Sequence, residues 1–366
     1  MRYAFGRITR LAAILALLMV AYAGAGLVMT DTGAWAQQRG TVPGEAIGGS
    51  STSDMWRAIR RGVPGSVSVP DKQTGILIQS EGDNWRAFRN GPMSNFGVWL
   101  MGGTLVALLV FFLIRGRIGV DSGFSGRLVE RFNNVERFAH WVTASSFVVL
   151  GLTGLNMLYG RYFIKPLIGG DAFSTLTMWG KYTHDFMGFA FMFGIIMTVI
   201  VWVRDNIPDR YDVVWLAQGG GLFSKGVHPP ARKFNAGQKI IFWLVVLAGG
   251  SLSFTGLGLL FPFAIQPFEA TFALLNLVGF DLPATLSPME EMQITQMWHG
   301  VLSLVMIAVI LAHIYIGWLG MEGAYDAMGT GFVDENWALQ HHPIWMEEMG
   351  EGGGAAEQAP ARKPDA

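Results

Sequence analysis

The sequence predicts an all-α membrane protein, and three observations lead to this fold class. Only 14% of the 366 residues are charged whereas 51% are hydrophobic, so the chain has too few charges to cover a soluble surface. Five apolar stretches each approach the roughly 20 residues that a bilayer-spanning helix needs. The chain also opens with a basic segment followed by an apolar core, a pattern typical of exported proteins.

The N-terminal 36 residues are predicted to form a secretory signal. Three arginines precede the apolar core, and the Ala-Trp-Ala sequence at 34–36 has the small-residue pattern of a cleavage site. An uncleaved anchor is the alternative. In both cases residues 37–95 start on the far side of the membrane, and their glycine, serine and proline content predicts an extended extracytoplasmic segment without its own core. A short amphipathic helix is predicted within it at 54–62.

The orientation of the five spans follows from the basic residues between them. Loops after the first and third spans are rich in arginine and lysine, whereas the loop at 262–296 has neither. The basic loops and the C-terminus are therefore predicted to be cytoplasmic, which agrees with an exported N-terminus. The predicted spans are 96–114, 138–158, 184–203, 239–261 and 297–319. We divide the chain into an extra transmembrane helix (96–117), a four-helix domain (118–348) and a disordered tail (349–366).

Four histidines lie in or at the edge of these spans: His140, His184, His299 and His313. Ionisable residues inside membrane spans usually have a function, and neutral imidazole is a common axial ligand of haem iron. A single buried histidine often only bonds a neighbour, but four in a four-span set favour ligation. Because the chain has no cysteine, iron–sulfur clusters held by cysteine and covalently attached haem are excluded. A net charge of −1 gives no support to nucleic-acid binding.

Spacing and orientation divide the histidines into two pairs. The fourteen residues from His299 to His313 turn a helix by about 1400°, close to four full turns, and rise about 21 Å. The two rings therefore share a face at different depths. His140 starts a span from the cytoplasm and His184 starts one from outside. We predict an outer haem held by His184 and His299 and an inner haem held by His140 and His313, in a four-helix dihaem cytochrome b bundle with one extra N-terminal transmembrane helix.

Other polar and small residues have alternative interpretations. Asn235, in NAGQK, is predicted to cap a helix, and Asn235 and Gln238 also lie at the level of the inner haem, where they could bind quinone. Glycines in GLTGLNM (151–157) allow close approach of either a flat macrocycle or another helix. For His341 and His342 we predict a partner-contacting surface, with metal binding or proton transfer as alternatives.

Several segments together resemble the gamma subunit of respiratory formate dehydrogenase, the cytochrome b membrane subunit. The resemblance covers about residues 128–348. FNAGQK is the most specific segment, because this motif at this position relative to the four histidines is not a general cytochrome pattern. The matching segments are RFNNVERFAHW, KYTHDFMGF, RDNIPD, KFNAGQKIIFW, MWHG, LAHIYIGW and WALQHHPIW.

The resemblance implies a subunit in the bacterial inner membrane, with a periplasmic N-terminus and a cytoplasmic C-terminus. It implies two b haems that take electrons from an iron–sulfur beta subunit, which a molybdenum- or tungsten-pterin alpha subunit feeds by oxidising formate. It also implies that His140, His184, His299 and His313 are the haem ligands, and that Asn235, Gln238 and His313 form the quinone site. Compared with the short enterobacterial form, this chain adds an N-terminal signal, segment and span, for which we predict contact with the partner subunits.

Two other functions compete with this one. A dihaem cytochrome b of another respiratory complex, such as a nickel–iron hydrogenase or thiosulfate reductase, has the same four-histidine pattern, although FNAGQK and the tail argue against it. A transporter or haem-free membrane anchor is the second. Against it, the spans contain no midplane carboxylates and no broken-helix repeats of the kind that transporters have.

Overall fold

The computed structural model describes Arg60, residues 82–283 and residues 285–351. The predicted signal, the amphipathic helix at 54–62 apart from Arg60, and the tail after residue 351 lie outside the described residues.

Five long helices dominate the described part of the chain, and all five are long and apolar enough to cross a membrane. This confirms the prediction of five spans. The long helices are α2 (Ser94–Arg115), α3 (Asn134–Phe163), α5 (Gly170–Trp202), α7 (Ala236–Leu260) and α9 (Pro288–Tyr315). The shorter helices are α1 (Gly82–Phe88), α4 (Lys165–Ile168), α6 (Arg210–Ala217), α8 (Pro267–Asn276), α10 (Asp326–Gly329), α11 (Glu335–His341) and α12 (Pro343–Glu351). Two strands are present as well, β1 (Leu128–Glu130) and β2 (Phe332–Asp334).

Most of the long helices start well before the apolar stretch that predicted them. The first transmembrane helix is continuous with α1 through a π-helical turn at Arg89–Met93, so residues 82–95 are helical rather than extended. Likewise α5 starts at Gly170, and His184 lies inside it rather than at its start. Hydropathy marks only the part of a helix that crosses hydrocarbon, whereas the backbone hydrogen bonds continue into the polar ends.

Side chains that satisfy the free backbone N–H groups define the starts of four described helices. Each start is a capping box, in which the N-cap side chain accepts from the third residue and that residue's side chain accepts from the N-cap N–H. Asn235 is one of these N-caps, as predicted: its Oδ1 accepts from the Gln238 N–H at 2.9 Å. The four boxes start α3 (Asn133, Glu136), α6 (Asp209, Asp212), α7 (Asn235, Gln238) and α9 (Ser287, Glu290).

Small residues set the helix packing of the bundle. The hairpin formed by α3 and α5 closes tightly at Gly194, where an added Cβ would lie 2.9 Å from the Thr143 backbone nitrogen. Helix α7 packs against α5 at Gly249, where a Cβ would lie 2.8 Å from Ile195 Cδ1, and α7 also packs against α9. Glycine at these positions lets the backbones approach closely, as is common in membrane helices.

The extra helix α2 packs on the outside of α9. A Cβ at Gly97 would lie 2.8 Å from Leu304 Cδ1, and the Tyr159 hydroxyl donates to the Ser94 carbonyl at 2.8 Å. The opposite side of α2 is exposed, including Trp99 with 80% of its surface accessible. This face is apolar and suits lipid.

One end of the bundle is covered by an end layer, which we define as residues 118–133, 202–239 and 321–349. Strands β1 and β2 pair antiparallel in it, with Val129 opposite Val333. Its core contains Phe132, Trp337 and Trp345. Strand pairing between the loop before α3 and the tail after α9 was not predicted, because each strand has only three residues and neither has a sequence pattern of its own.

The end layer also corrects the prediction for the two adjacent histidines. His342 is only 1% exposed, and its Nδ1 bonds the Arg232 carbonyl at 2.7 Å. Burial lowers the pKa of His341 to about 4 and that of His342 well below its usual value. Prediction of a partner-contacting surface was therefore wrong for His342: hydrophobic packing against Trp337 and Trp345 places it inside the layer.

Candidate functional site: two histidine pairs

The structure brings the four span histidines together as two pairs. At the end-layer side, the ring centres of His140 on α3 and His313 on α9 are 6.3 Å apart. In the other half of the bundle, those of His184 on α5 and His299 on α9 are also 6.3 Å apart. This is the pairing that the orientation of the spans predicts. Helix α9 contributes one ring to each pair.

A ring separation of this size fits one metal ion between two imidazoles. An imidazole nitrogen lies about 2 Å from the transition metal that it binds, and its ring centre lies about 1 Å further away. Two such rings on opposite sides of one metal therefore have centres about 6 Å apart. The observed separation matches that geometry in both pairs.

Threonine hydroxyls orient both rings of the pair that is further from the end layer. Thr153 Oγ1 on α3 lies 2.9 Å from His184 Nδ1, and Thr255 Oγ1 on α7 lies 3.0 Å from His299 Nδ1. Contacts at Nδ1 leave Nε2 as the nitrogen that can face a metal. Metal-ligating histidines normally have such a partner on their other nitrogen, and the partner fixes the ring orientation.

A glycine follows each of these threonines and supports the adjacent ring. A Cβ at Gly154 would lie 3.6 Å from His184 Cε1, and one at Gly256 would lie 3.6 Å from His299 Cε1. Of the glycines in GLTGLNM, Gly154 lets the His184 ring approach α3 closely. Gly194, on α5, instead lets two helix backbones pack together. The sequence contains a signal for this arrangement, a Thr-Gly-Leu repeat at 153–155 and 255–257, which the sequence analysis missed.

The pair near the end layer has a different environment. His140 Nδ1 is buried and has no hydrogen-bond partner among the described residues. The Trp141 ring lies edge-on to the His140 ring with centres 5.0 Å apart. In the described part of the chain, no hydrogen bond involves the His313 ring either. The two pairs therefore have the same ring separation but different hydrogen bonding.

Asn235 and Gln238 lie together at the start of α7. Their capping box uses Asn235 Oδ1 and Gln238 Oε1, which accepts from the Asn235 N–H at 3.0 Å. Both side-chain NH₂ groups keep free hydrogens, and both side chains are half-buried. Among the described residues, no hydrogen bond joins either side chain to His313. The arrangement supplies hydrogen-bond donors at the surface of the bundle.

Arg131 supports this pair of amides from inside the end layer. Its Nη2 donates to Gln238 Oε1 at 3.3 Å and to the Lys233 carbonyl at 2.8 Å. The guanidinium lies against the rings of Phe132 and Trp337, at 5.0 and 5.1 Å from their centres. Because the group is buried, its pKa is lowered to about 9. Sequence reasoning did not single out Arg131, which looked like one of several basic loop residues.

Comparison with known families identifies the bundle. A family model described as prokaryotic cytochrome b561 matches residues 131–331, more than half of the chain and the part that contains all four histidines. The chain belongs to the prokaryotic cytochrome b561 family. Membership implies a b-type haem, and the two histidine pairs have the donor atoms and separation to hold one. With five candidate membrane helices, the protein is a multi-pass membrane protein.

Curated relatives at modest identity confirm the resemblance found in the sequence. The chain is 26% identical over 239 residues to the cytochrome b556(Fdn) subunit of a nitrate-inducible formate dehydrogenase from Escherichia coli, covering 65% of this chain and 95% of that one. It is 25% identical over 222 residues to the Escherichia coli formate dehydrogenase cytochrome b556(fdo) subunit, covering 60% and 93%. A formate dehydrogenase cytochrome b556 subunit from Haemophilus influenzae is 24% identical over 223 residues, covering 60% and 83%.

Proposed function

We propose that this chain is the dihaem cytochrome b subunit of a respiratory formate dehydrogenase and that it passes electrons to quinone. The observation that carries the proposal is the pair of histidine couples, each with ring centres 6.3 Å apart. The similarity to formate dehydrogenase cytochrome b556 subunits supports the identity of the complex. A subunit without a formate-oxidising site of its own needs an iron–sulfur beta subunit and a molybdenum- or tungsten-pterin alpha subunit as partners.

In this proposal the four histidines would hold two b haems. His184 and His299 hold the outer haem, and His140 and His313 hold the inner haem. The haem irons supply one-electron transfer between ferric and ferrous states. Fourteen residues of α9 keep the two sites about 21 Å apart along the helix axis, so that they lie one above the other across the bilayer. Helix α9 therefore sets the spacing of the electron path.

The quinone site of the proposal lies at the start of α7. The free side-chain N–H groups of Asn235 and Gln238 are suited to donate to a quinone carbonyl oxygen, while their oxygens remain in the capping box. Arg131 holds Gln238 in place. His313, as a ligand of the inner haem, lies between that haem and the quinone.

The orientation in the proposal follows the basic loops and the exported N-terminus. The end layer faces the cytoplasm, and residues 37–95 face the periplasm of a bacterial inner membrane, where they contact the partner subunits. The dihaem domain extends over residues 118–348 and the extra helix over 96–117. Formate oxidation outside and quinone protonation inside would then separate charge across the membrane.

Haem content tests the core of the proposal. A pyridine haemochrome assay on the purified protein is expected to find about two b haems per chain. His313→Ala should remove the inner haem and keep the outer one. His228→Ala is the matched control, because His228 pairs with Asp121 at 2.8 Å in the end layer and should leave both haems bound. Purified protein without haem would refute the electron-transfer function, and loss of only the outer haem in His313→Ala would refute the pairing.

Quinone reduction needs variants that separate capping from quinone binding. Asn235→Ala removes the capping oxygen as well as the amide N–H groups, whereas Asn235→Ser keeps a capping oxygen and removes only the amide. Both variants should slow quinone reduction while formate still reduces both haems in membranes that contain the whole complex. Normal quinone turnover in Asn235→Ser would eliminate the amide as a quinone ligand. Haem reduction by hydrogen but not by formate would instead favour a hydrogenase complex.

A further inference from the structure

The two histidine pairs differ in what their Nδ1 atoms contact. Both rings of the outer pair have a threonine hydroxyl at hydrogen-bond distance, contributed by a neighbouring helix. In the inner pair, His140 Nδ1 is buried without a partner, and within the described residues the His313 ring makes no hydrogen bond. Such a difference between otherwise similar sites affects the metal, because hydrogen bonds to a ligand change how strongly it donates electrons.

The direction of the threonine hydrogen bonds follows from their other contacts. A hydroxyl has one proton, and Thr153 Oγ1 lies 2.8 Å from the Val149 carbonyl oxygen, which can only accept. Thr255 Oγ1 is likewise 2.9 Å from the Ser251 carbonyl oxygen. When each hydroxyl donates to its own helix backbone, its lone pair faces the imidazole. Histidine Nδ1–H then donates to the threonine, and Nε2 keeps its lone pair for iron.

An imidazole that donates from Nδ1 is a more basic ligand at Nε2. Greater ligand basicity stabilises ferric iron more than ferrous iron, because the ferric ion has the higher charge. Ligand hydrogen bonding is one of the means by which a protein adjusts a haem potential. Two hydrogen-bonded ligands on the outer haem and none on the inner haem would therefore lower the potential of the outer haem relative to the inner one.

We propose that Thr153 and Thr255 are positioning residues that hold His184 and His299 and set the potential of the outer haem below that of the inner haem. The inference rests on the proposed haem binding. With both haems bound, one electron would move inward from the outer site, which would be oxidised, to the inner site, which would be reduced. The threonines thus make the step toward the quinone side favourable.

A potentiometric titration of the haem absorbance in the purified protein tests this inference. Thr153→Val and Thr255→Val remove the hydroxyl with little change of shape, and Thr153→Ser and Thr255→Ser restore it. Thr295→Val is the matched control: Thr295 is fully buried on α9, its hydroxyl donates to the Glu291 carbonyl at 2.7 Å, and among the described residues it makes no hydrogen bond with a histidine. His140→Ala, which keeps only the outer pair, assigns the two redox steps to their haems.

Each valine variant is expected to raise the potential of the outer haem and leave that of the inner haem unchanged. A tenfold loss of the preference for ferric over ferrous iron would equal a shift of about 59 mV for one electron. The serine variants and Thr295→Val should retain the wild-type potential. Loss of the outer haem from a valine variant but not from its serine counterpart also supports the positioning role.

Three results would overturn the inference. They are unchanged potentials in both valine variants that keep their haem, a shift of the inner haem instead of the outer one, and equal haem loss in the serine and valine variants. Wild-type protein without haem is a different result, because it would refute the proposed function itself. Wild-type protein with two haems and no threonine effect would refute only this inference.

Discussion

Replacing Gly97 with leucine is expected to detach α2 from the bundle without disturbing the histidine pairs. The glycine lies where α2 meets α3 and α9, and a Cβ there would be 2.8 Å from Leu304 Cδ1 and would also overlap the Tyr159 hydroxyl. Overpacking of this kind costs about 1–3 kcal/mol. The displaced Tyr159 would lose its 2.8 Å bond to the Ser94 carbonyl, which contributes about 1 kcal/mol. The sum, about 2–4 kcal/mol, corresponds to a roughly 30- to 700-fold change in the docking equilibrium.

A cysteine pair provides the assay, since the chain has no cysteine of its own. Met93→Cys and Gly300→Cys would face each other across the contact, because a Cβ at Gly300 lies 3.0 Å from Met93 Sδ. A short thiol-reactive crosslinker then reports docking during titration with a denaturing detergent. Gly103→Leu is the matched control on the same helix, where an added Cβ meets nothing within 4 Å.

In the double-cysteine protein, Gly97→Leu should lose half of its crosslinking at a lower fraction of denaturing detergent than Gly103→Leu does. Both variants should keep the haem absorbance of the double-cysteine parent in mild detergent. Equal midpoints would show that the contact at Gly97 does not hold α2 in place. Loss of haem absorbance from Gly97→Leu alone would show that α2 is part of the bundle that shapes the haem sites and not an addition to it.

Three further predictions concern the bundle and the end layer. Gly194→Leu would bring its side chain within 2.9 Å of an α3 backbone nitrogen, so we expect the hairpin to open and haem absorbance to be lost; normal absorbance would contradict the packing. Lys233→Met removes the ammonium 2.6 Å from buried Glu136 Oε1, and loss of a hydrogen bond to a charged group costs about 1.5–3 kcal/mol, measurable as a lower unfolding midpoint that Glu136→Gln in the same chain partly restores. Burial alone would raise the pKa of Asp209, but hydrogen bonds from Lys239 and the backbone lower it overall. The Asp209 carboxylate therefore stabilises the folded protein above the pKa that it has in the unfolded chain, and this stabilisation is lost as the pH falls through its pKa in the folded protein. Acid below about pH 4 should release α6. Asp209→Asn should make the stability of α6 independent of pH in this range.

The transmembrane helices could be predicted because the signal for each one lies within a single continuous stretch of sequence. Apolar stretches of bilayer length identify helices without any knowledge of their neighbours. The pairing of His184 with His299 follows from the same information, since chain direction sets the depth of each ring. The ring separation of 6.3 Å required the three-dimensional packing, because it depends on how far α3, α5 and α9 approach one another.

The parts that were missed depend on contacts between distant segments. The role of Thr153 and Thr255 arises only because α3 and α7 lie beside the rings of other helices. His342 looked exposed in a polar tail, but the tail folds back onto the loop before α3 through pairing of β1 with β2. Contacts between segments about 200 residues apart leave no local hydrophobic periodicity in the sequence from which they could be predicted. A repeat of Thr-Gly-Leu was present in the sequence, but its meaning required the partner rings.

The contribution of α9 to both histidine pairs has a consequence for how the protein is made. Helix α9 is the last of the five described spans, so a nascent chain that has inserted α3, α5 and α7 contains only two of the four span histidines, His140 and His184, each without an opposing ring. The pairing of β1 with β2, which closes the end layer near His140 and His313, comes later still, because β2 follows α9. If the histidine pairs hold haem as proposed, synthesis order would delay two-sided coordination at both sites until the polypeptide is nearly complete, and cofactor loading would be a late, almost post-translational event.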